Sequence, residues 1–434
     1  MVAAQTDVHR EPVAGRDGAW LQDAPHNLMV INSVFAVDRM QRETLRDLFA
    51  ERVVEAGERY ARFSRKVVFH HGRPYWEDDP DFDIDRHIVL APPAELDPGA
   101  LATREALQEF VGGEASKPLP ADRPRWQMLF VPEYREGLSA FVIRIHHVMA
   151  DGMSLVPVLF SMMDPCEGEA ETLPQVARKS TAWDAAAAVL AGPFLLSQKF
   201  LWRADHSVVH GPTLSGRKRV SWTEPIPIDV VKAVKNACGA TVNDVLMACV
   251  SSAFERYVRT KSGAPLTRLR VSMPVNVRAP GEEPRMENKF AAVMLDLPVG
   301  VADVRERVLA TKKRLDSLKR SPEPHFTYGT VRLMLKALPA GVSRGLINYL
   351  ASKVTCVISN VPGPQRPLYL KGHRLRGMMF WVPQRAEIGV GVSMLSFAGE
   401  LMIGVICDTA VVEEPRELVE CFSEELRRLA DSVA

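Results

Sequence analysis

Residues 138–145, LSAFVIRI, carry a single charged side chain across eight positions. A run this apolar and this short reads as a strand buried on both faces, and a chain that holds one must fold around a covered sheet. The run leads directly into His146-His147-Val148-Met149-Ala150-Asp151-Gly152, and a helix-like segment begins near Met153. A histidine at the end of a buried strand is held rigidly and can face a cleft. Its ordinary pKa is near neutral, so it accepts a proton at cellular pH. A purely structural reading stands beside this one: a buried ring bonded to a backbone carbonyl, Asp151 capping the helix, and Gly152 supplying an unusual backbone angle. A metal site is disfavoured. Adjacent histidines on a strand point to opposite faces, and no Cys or His stands at ligand spacing nearby.

A chain of 434 residues exceeds one typical domain, so two are expected. In the first, a strand at 32–37 precedes a helix pattern at 41–61. A hairpin follows, running from 67–69 through His71-Gly72-Arg73-Pro74 to Tyr75-Trp76. An acidic loop at 77–85, a helix at 101–110 and paired strands at 126–131 and 138–145 come next. Periodicity is then lost. The expected division is 1–165, a connection over 166–214, and a second domain over 215–434. The second domain should contain a long helix at 243–260, strands at 269–273, 291–297, 354–359, 377–382, 389–396 and 400–407, and a closing helix at 415–429. Helices alternating with antiparallel hairpins imply an α/β (α+β) fold, a mixed sheet covered by helices in each domain.

With 47% hydrophobic residues, 25% charged residues and a net charge of +1, the chain gives no electrostatic case for nucleic acid. The six cysteines (Cys166, Cys238, Cys249, Cys356, Cys407 and Cys421) are scattered and form no close pair, which suits a reducing cytoplasm. The N-terminal MVAAQTDVHREP lacks the apolar core of a signal peptide, so a cytoplasmic location is expected. No segment is long and apolar enough to span a bilayer. The stretch 185–196 is short and broken by Gly192-Pro193. The stretch 331–353 mixes apolar residues with Arg332, Lys336, Arg344 and Lys353 and has no acid. That pattern suits a helix pair lying on an anionic membrane surface, or else an amphipathic pair packed on the core.

Two further constellations stand out. Thr241-Val242-Asn243-Asp244 opens the long helix. Thr241 or Asn243 can cap it and Asp244 favours its positive end, though a helix start also offers amides and an Asn side chain to a ligand. In Ser359-Asn360-Val361-Pro362-Gly363-Pro364, a buried strand ends in two polar residues before a rigid turn. Such a turn would hold Ser359 and Asn360 as donors to a developing oxyanion, and a strand-end turn without chemistry would look the same.

The order of these features is more specific than any one of them. His146 to Gly152 form an HHxxxDG signature, Asn243-Asp244 an ND pair, and 360–364 an NVPGP segment. Met273-Pro274-Val275-Asn276-Val277-Arg278 lies between the last two, and Tyr75 to Asp85 form an acidic segment near the start. Together they resemble the bacterial wax ester synthase/acyl-CoA:diacylglycerol acyltransferase family, within the coenzyme-A-dependent acyltransferase and condensation-domain superfamily. The resemblance covers nearly the whole chain. It departs at Pro124-Arg125-Trp126, where the family has leucine, at 17–26, and at Glu287-Asn288-Lys289, where the family has a glycine-containing segment.

The resemblance implies two chloramphenicol-acetyltransferase-like domains facing each other across a tunnel, with His147 midway along it. It implies transfer of a long-chain acyl group from acyl-CoA, a co-substrate, to the hydroxyl of diacylglycerol or a fatty alcohol. His147 would be the general base, with His146, Asp151 and Gly152 supporting it. Asn243, Asp244, Ser359 and Asn360 would be candidates for oxyanion or substrate contact. No acyl-enzyme, metal or permanently bound cofactor is implied. Two rivals share these residues: a condensation-type enzyme whose acyl group rides on a carrier protein, and a lipid-binding protein without catalysis.

Overall fold

The apolar run at 138–145 is strand β7 (Leu138–His146) in the computed structural model, which describes residues 10–164, 199–204, 206–279 and 281–433. Most of the expected 166–214 connection, Cys166 and the stretch 185–196 lie outside the described residues. β7 is antiparallel to β2 (Val30–Asp38) on one side and to β6 (Trp126–Val131) on the other. It is buried from Ser139 to its end, which explains why its sequence shows no polar alternation. β5 (Ile88–Leu90) adds a parallel edge to β6. The expected hairpin is β3 (Arg65–His70) with β4 (Arg73–Asp78), and β1 (Arg10–Pro12) joins β4 to make a small separate sheet.

The remaining two strands of the sheet around β7 come from the other half of the chain. β14 (His373–Trp381) pairs with β2, Leu375 to Trp381 lying opposite Val37 to Asn32, and β13 (Tyr369–Leu370) pairs with β14. The boundary expected at 214/215 therefore does not confine each sheet to its own half, and the strand anticipated at 377–382 belongs to the N-terminal sheet. Without it, β2 would present a row of unpaired backbone groups at the sheet edge.

The second sheet runs β11 (Phe290–Leu297), β10 (Leu269–Asn276), β12 (Cys356–Pro362), β15 (Val390–Phe397), β16 (Glu400–Asp408), β8 (Lys218–Trp222), with β9 (Ile226–Pro227) also on β16. β12 is parallel to both β10 and β15, so this sheet is mixed, as expected. In the first half, α1 (Arg42–Phe49) and α2 (Arg104–Ala115) cover the sheet and α3 (Gly152–Met162) follows the histidine loop. In the second, α4 (Ile228–Ala237), α5 (Val242–Ser262), α6 (Val304–Arg320) and α9 (Pro415–Asp431) form the helical layer. Between the last two lie α7 (Glu323–Ala337) and α8 (Ala340–Ala351). α5 is buried on every side from Val245 to Val250, the mark of a central core helix. No single helix among the described residues is long and apolar enough to cross a membrane.

The halves meet through packed side chains. One apolar cluster joins Phe141, Val148 and Met149 to Met286, Leu395 and Phe397. Elsewhere between the halves, buried Lys218 donates to Asn27 Oδ1 at 2.7 Å, and Asn27 Nδ2 donates to the carbonyl of Ala386 at 2.7 Å.

Candidate active site

The backbone fixes the histidine pair first. The amide of His146 donates to the carbonyl of Arg125 (2.9 Å) and that of His147 to the carbonyl of Met29 (2.7 Å). The two rings then diverge. His146 Nδ1 accepts from the amide of Val148 at 3.1 Å, so its proton sits on Nε2, which meets Asp23 Oδ2 at 3.1 Å. Burial would raise the Asp23 carboxyl, but the hydrogen bonds from His146 and the Met29 amide hold it below its usual value. Arg125, at the position where the resembled family has leucine, faces Asp23, and burial lowers its pKa. Both ring nitrogens of His146 are thus engaged.

The His147 ring lies flat against Trp20, with centroids 3.9 Å apart and planes 14° apart, and Phe290 stands 5.8 Å away. Its Nδ1 meets Asn288 Oδ1 at 2.7 Å. Asn288 can face only one way. Its Nδ2 donates to Asp17 Oδ1 at 3.0 Å and to the His147 carbonyl at 2.8 Å, and both are pure acceptors. Turning the amide over would set its oxygen against two oxygens. Asp17 is itself fully buried and held by Arg62 at 2.9 Å. Hence Nδ1 of His147 carries the proton and Nε2 keeps a free lone pair. Burial pushes the imidazole pKa down to about 4, against a weaker upward pull from Asp151, so the ring is neutral at pH 7.

Replacing Asn288 with leucine removes the acceptor that selects this tautomer. We expect kcat to fall roughly tenfold to a hundredfold, a part of the roughly hundred- to ten-thousand-fold that proton transfer to a positioned base supplies. The KM for the acyl donor should stay near wild type, and far-UV circular dichroism should show the fold kept. A raised KM with kcat intact would remove Asn288 from this role.

Asp151 behaves as a structural carboxylate. Its Oδ1 accepts from the Ser154 amide (2.8 Å), the expected cap. Its Oδ2 accepts from Arg278 Nη2 (2.9 Å) and from the Lys289 amide (2.7 Å). Arg278 also reaches Ser154 Oγ at 2.7 Å and the Glu287 carbonyl at 3.2 Å. The histidine loop of one half is thus tied to the 276–289 segment of the other. Gly152 departs from expectation: it starts α3, is absent from the positive-φ glycines, and a Cβ there would meet nothing within 4 Å.

The remaining candidates divide. Asp244 forms a capping box with Thr241, accepting from its amide at 2.8 Å, and is fully buried. A carboxylate in that position has no proton to offer an oxyanion, so Asp244 is a cap. Ser359 and Asn360 are neighbours on β12 and point to opposite faces, so they cannot both serve one site. Ser359 is buried. Asn360 is exposed and donates to Asn243 Oδ1 at 2.9 Å. None of these four makes a hydrogen bond or ring contact with His147 among the described residues. Strand order still places the Asn pair at the same end of the sheet, because Phe290 pairs with Asn276 at the end of β10, and β12 runs parallel to β10. The β10–β12 ladder stops at Ser272–Val357, although both strands continue toward the His147 end. Beyond them, Gly363 is required: a Cβ there would run into the Ser396 carbonyl oxygen that its own amide bonds at 2.8 Å.

Asn288, Asp17 and Trp20 are the residues that sequence reasoning passed over. All three lie in or beside stretches that depart from the resembled family's pattern, which was the only signal they gave.

Two mixed sheets meeting at a buried strand-end histidine define the acyltransferase and condensation-domain fold. The structure aligns with a wax ester synthase/diacylglycerol acyltransferase from Marinobacter aquaeolei VT8 at a TM-score of 0.71 and 20% identity, over 97% of this chain and 99% of that one. It aligns with the first condensation domain of the calcium-dependent antibiotic synthetase at 0.61 and 16% identity, over 98% and 96%. Residues 20–246 match the wax ester synthase/diacylglycerol acyltransferase catalytic domain, and 286–430 match the WS/DGAT C-terminal domain. The chain belongs to the wax ester synthase/diacylglycerol acyltransferase family, and it is an acyltransferase. Relatives include the "Probable diacyglycerol O-acyltransferase tgs1" of Mycobacterium tuberculosis, 26% identical over 86% of this chain and 84% of that protein. Another is wax ester synthase/diacylglycerol acyltransferase 2 of Arabidopsis thaliana, 25% identical over 85% and 86%.

Proposed function

We propose that the chain moves a long-chain fatty acyl group from acyl-CoA to the hydroxyl of diacylglycerol or a fatty alcohol, with His147 as general base. The observation that carries this reading is the locked tautomer: Asn288 and Asp17 leave Nε2 of a neutral imidazole free to accept a proton. An alcohol is too weak an acid to ionise unaided. Nε2 takes its proton as the oxygen attacks the thioester carbonyl. The oxyanion that forms needs a donor, and the Asn243–Asn360 pair keeps amide N–H groups that its own hydrogen bond does not use. The tetrahedral intermediate collapses and the carbon–sulfur bond breaks. The imidazolium returns its proton to the departing coenzyme A thiolate, leaving ester, free thiol and the starting histidine.

An acyl-enzyme is not needed. Burial raises the thiol pKa values of Cys249, Cys356 and Cys407, making them poor nucleophiles. The unladdered ends of β10 and β12 support a tunnel for an acyl chain at the His147 end. Unpaired thiols support a cytoplasmic location, and the basic helix pair supports peripheral contact with an inner membrane or lipid droplet.

Coenzyme A release from palmitoyl-CoA, with hexadecanol and diacylglycerol offered in parallel, tests the reading. Release that depends on an acceptor is expected, and the faster acceptor names the preference. No release with either acceptor, but transfer from an acyl-loaded carrier protein, would overturn the choice of donor.

A further inference from the structure

α7 and α8 are unusual in how little they bury. No residue of α7 is buried, and only Ser343 and Ala351 of α8 are. Leu333 is 66% exposed and Val342 50%, and Leu338 and Tyr349 are exposed beside them. The helical turn at 199–201 extends this surface. Leu201 is 81% exposed, and Phe200 stacks on Tyr349 at 5.8 Å. Arg332, Lys336 and Arg344 are exposed on the same helices and form no ion pair among the described residues. Arg332 and Lys336 stand one turn apart, flanking Leu333. Lys353 lies over the Tyr349 ring at 4.3 Å. From 323 to 353 the sole carboxylate is Glu323, and Lys199 neutralises it at 2.6 Å. The exposed face of these two helices is therefore apolar and cationic, with no unpaired carboxylate of its own within 323–353.

The hairpin also borders the 16–22 segment that covers His147. Tyr328 of α7 accepts from Arg16 at 3.1 Å. Asn348 of α8 accepts from Arg385 at 3.1 Å, and Arg385 in turn donates to Gln22 at 2.7 Å. Arg16 and Gln22 bracket Asp17 and Trp20, the residues that hold and cover His147.

We infer that the α7–α8 hairpin docks on an anionic lipid surface and sets the residues covering His147 beside that surface. The combination of exposed leucine, valine and tyrosine with unpaired cations is what an interfacial helix pair presents to acidic headgroups. The inference deepens the functional reading, because it names where a lipid acceptor meets the enzyme.

Vesicle co-sedimentation tests it apart from activity. The full-length protein should partition onto phosphatidylcholine vesicles containing phosphatidylglycerol far more than onto phosphatidylcholine alone, and added salt should weaken the binding. The triple variant Arg332→Glu, Lys336→Glu, Arg344→Glu should lose roughly a hundredfold in partitioning, at about fivefold or more per reversed charge. Leu333→Asp with Val342→Asp should lose binding as well. Because all five side chains are exposed, each variant should keep the wild-type circular dichroism spectrum. Transfer to a short-chain alcohol in solution should be unchanged in both variants, while transfer to diacylglycerol presented in phosphatidylglycerol vesicles should drop. Unchanged vesicle binding by either variant would overturn the inference. So would a shift from dimer to monomer on introducing the aspartates, since the face would then belong to a second copy. Failure of wild-type transfer to every acceptor would sink the functional reading and leave the vesicle result standing on its own.

Discussion

His147→Ala should lower kcat for acyl transfer by roughly a hundred- to ten-thousand-fold, the range that a positioned general base contributes. The substitution removes Nε2, the free lone pair, and leaves Asn288 still bonded to Asp17 and to the residue 147 carbonyl. The fold should persist, because the ring is neutral and no ion pair depends on it. A rate near wild type would end the general-base assignment. The acid limb of the wild-type pH profile provides a second reading. With the imidazole held down to about 4 by burial, activity should stay level from pH 7 to about 5 and fall only below that. A midpoint near the ordinary imidazole value would show the ring exposed and the buried tautomer wrong. Stability moves in the same direction. The unfolded chain takes up a proton near pH 6.5 that the folded ring refuses until about 4. Above that window His147 contributes no pH dependence, and acidification through it favours unfolding.

Asp151→Ala should destabilise the protein by about 3–5 kcal/mol, because it strands Arg278 as a buried cation without its carboxylate. Loss of the α3 cap adds to this, by about 1 kcal/mol. Urea unfolding followed by circular dichroism should show the lower midpoint. A double variant, Asp151→Leu with Arg278→Met, should recover much of the loss, since neither charge is then left alone. If Asp151→Ala unfolded at the wild-type midpoint yet lost all activity, Asp151 would belong to the chemistry instead. That outcome would also dissolve the division drawn within the HHxxxDG segment between one reacting ring and its supports.

The parts of the site that were legible in sequence are contiguous. β7, the histidine loop and the cap of α3 follow one another within a few residues, so local pattern suffices to place them. Asn288 and His147 are 141 positions apart, and Asp17 and Asn288 are 271 apart. No periodicity or spacing links such residues, and an Asn in a loop looks the same whether or not it orients an imidazole. Strand alternation alone lets only one of Ser359 and Asn360 face a given site, but the bond from Asn360 to Asn243, 117 positions away, leaves no mark in local pattern. The mixed sheets were readable from alternating strands and helices. Which sheet β14 joins was not, because its sequence is equally suited to either and the choice is decided by the open edge of β2.

The placement of β14 decides how the molecule would respond to being cut. A protease that nicked the chain between 164 and 199 would leave an N-terminal fragment lacking one flank of its own sheet and a C-terminal fragment holding that flank. The two fragments would stay together as one particle on gel filtration after cleavage. Expressed alone, the N-terminal fragment would expose β2 as a bare edge open to aggregation. Co-expressed, the fragments would reassemble, so the split gene rather than the single half is the soluble unit.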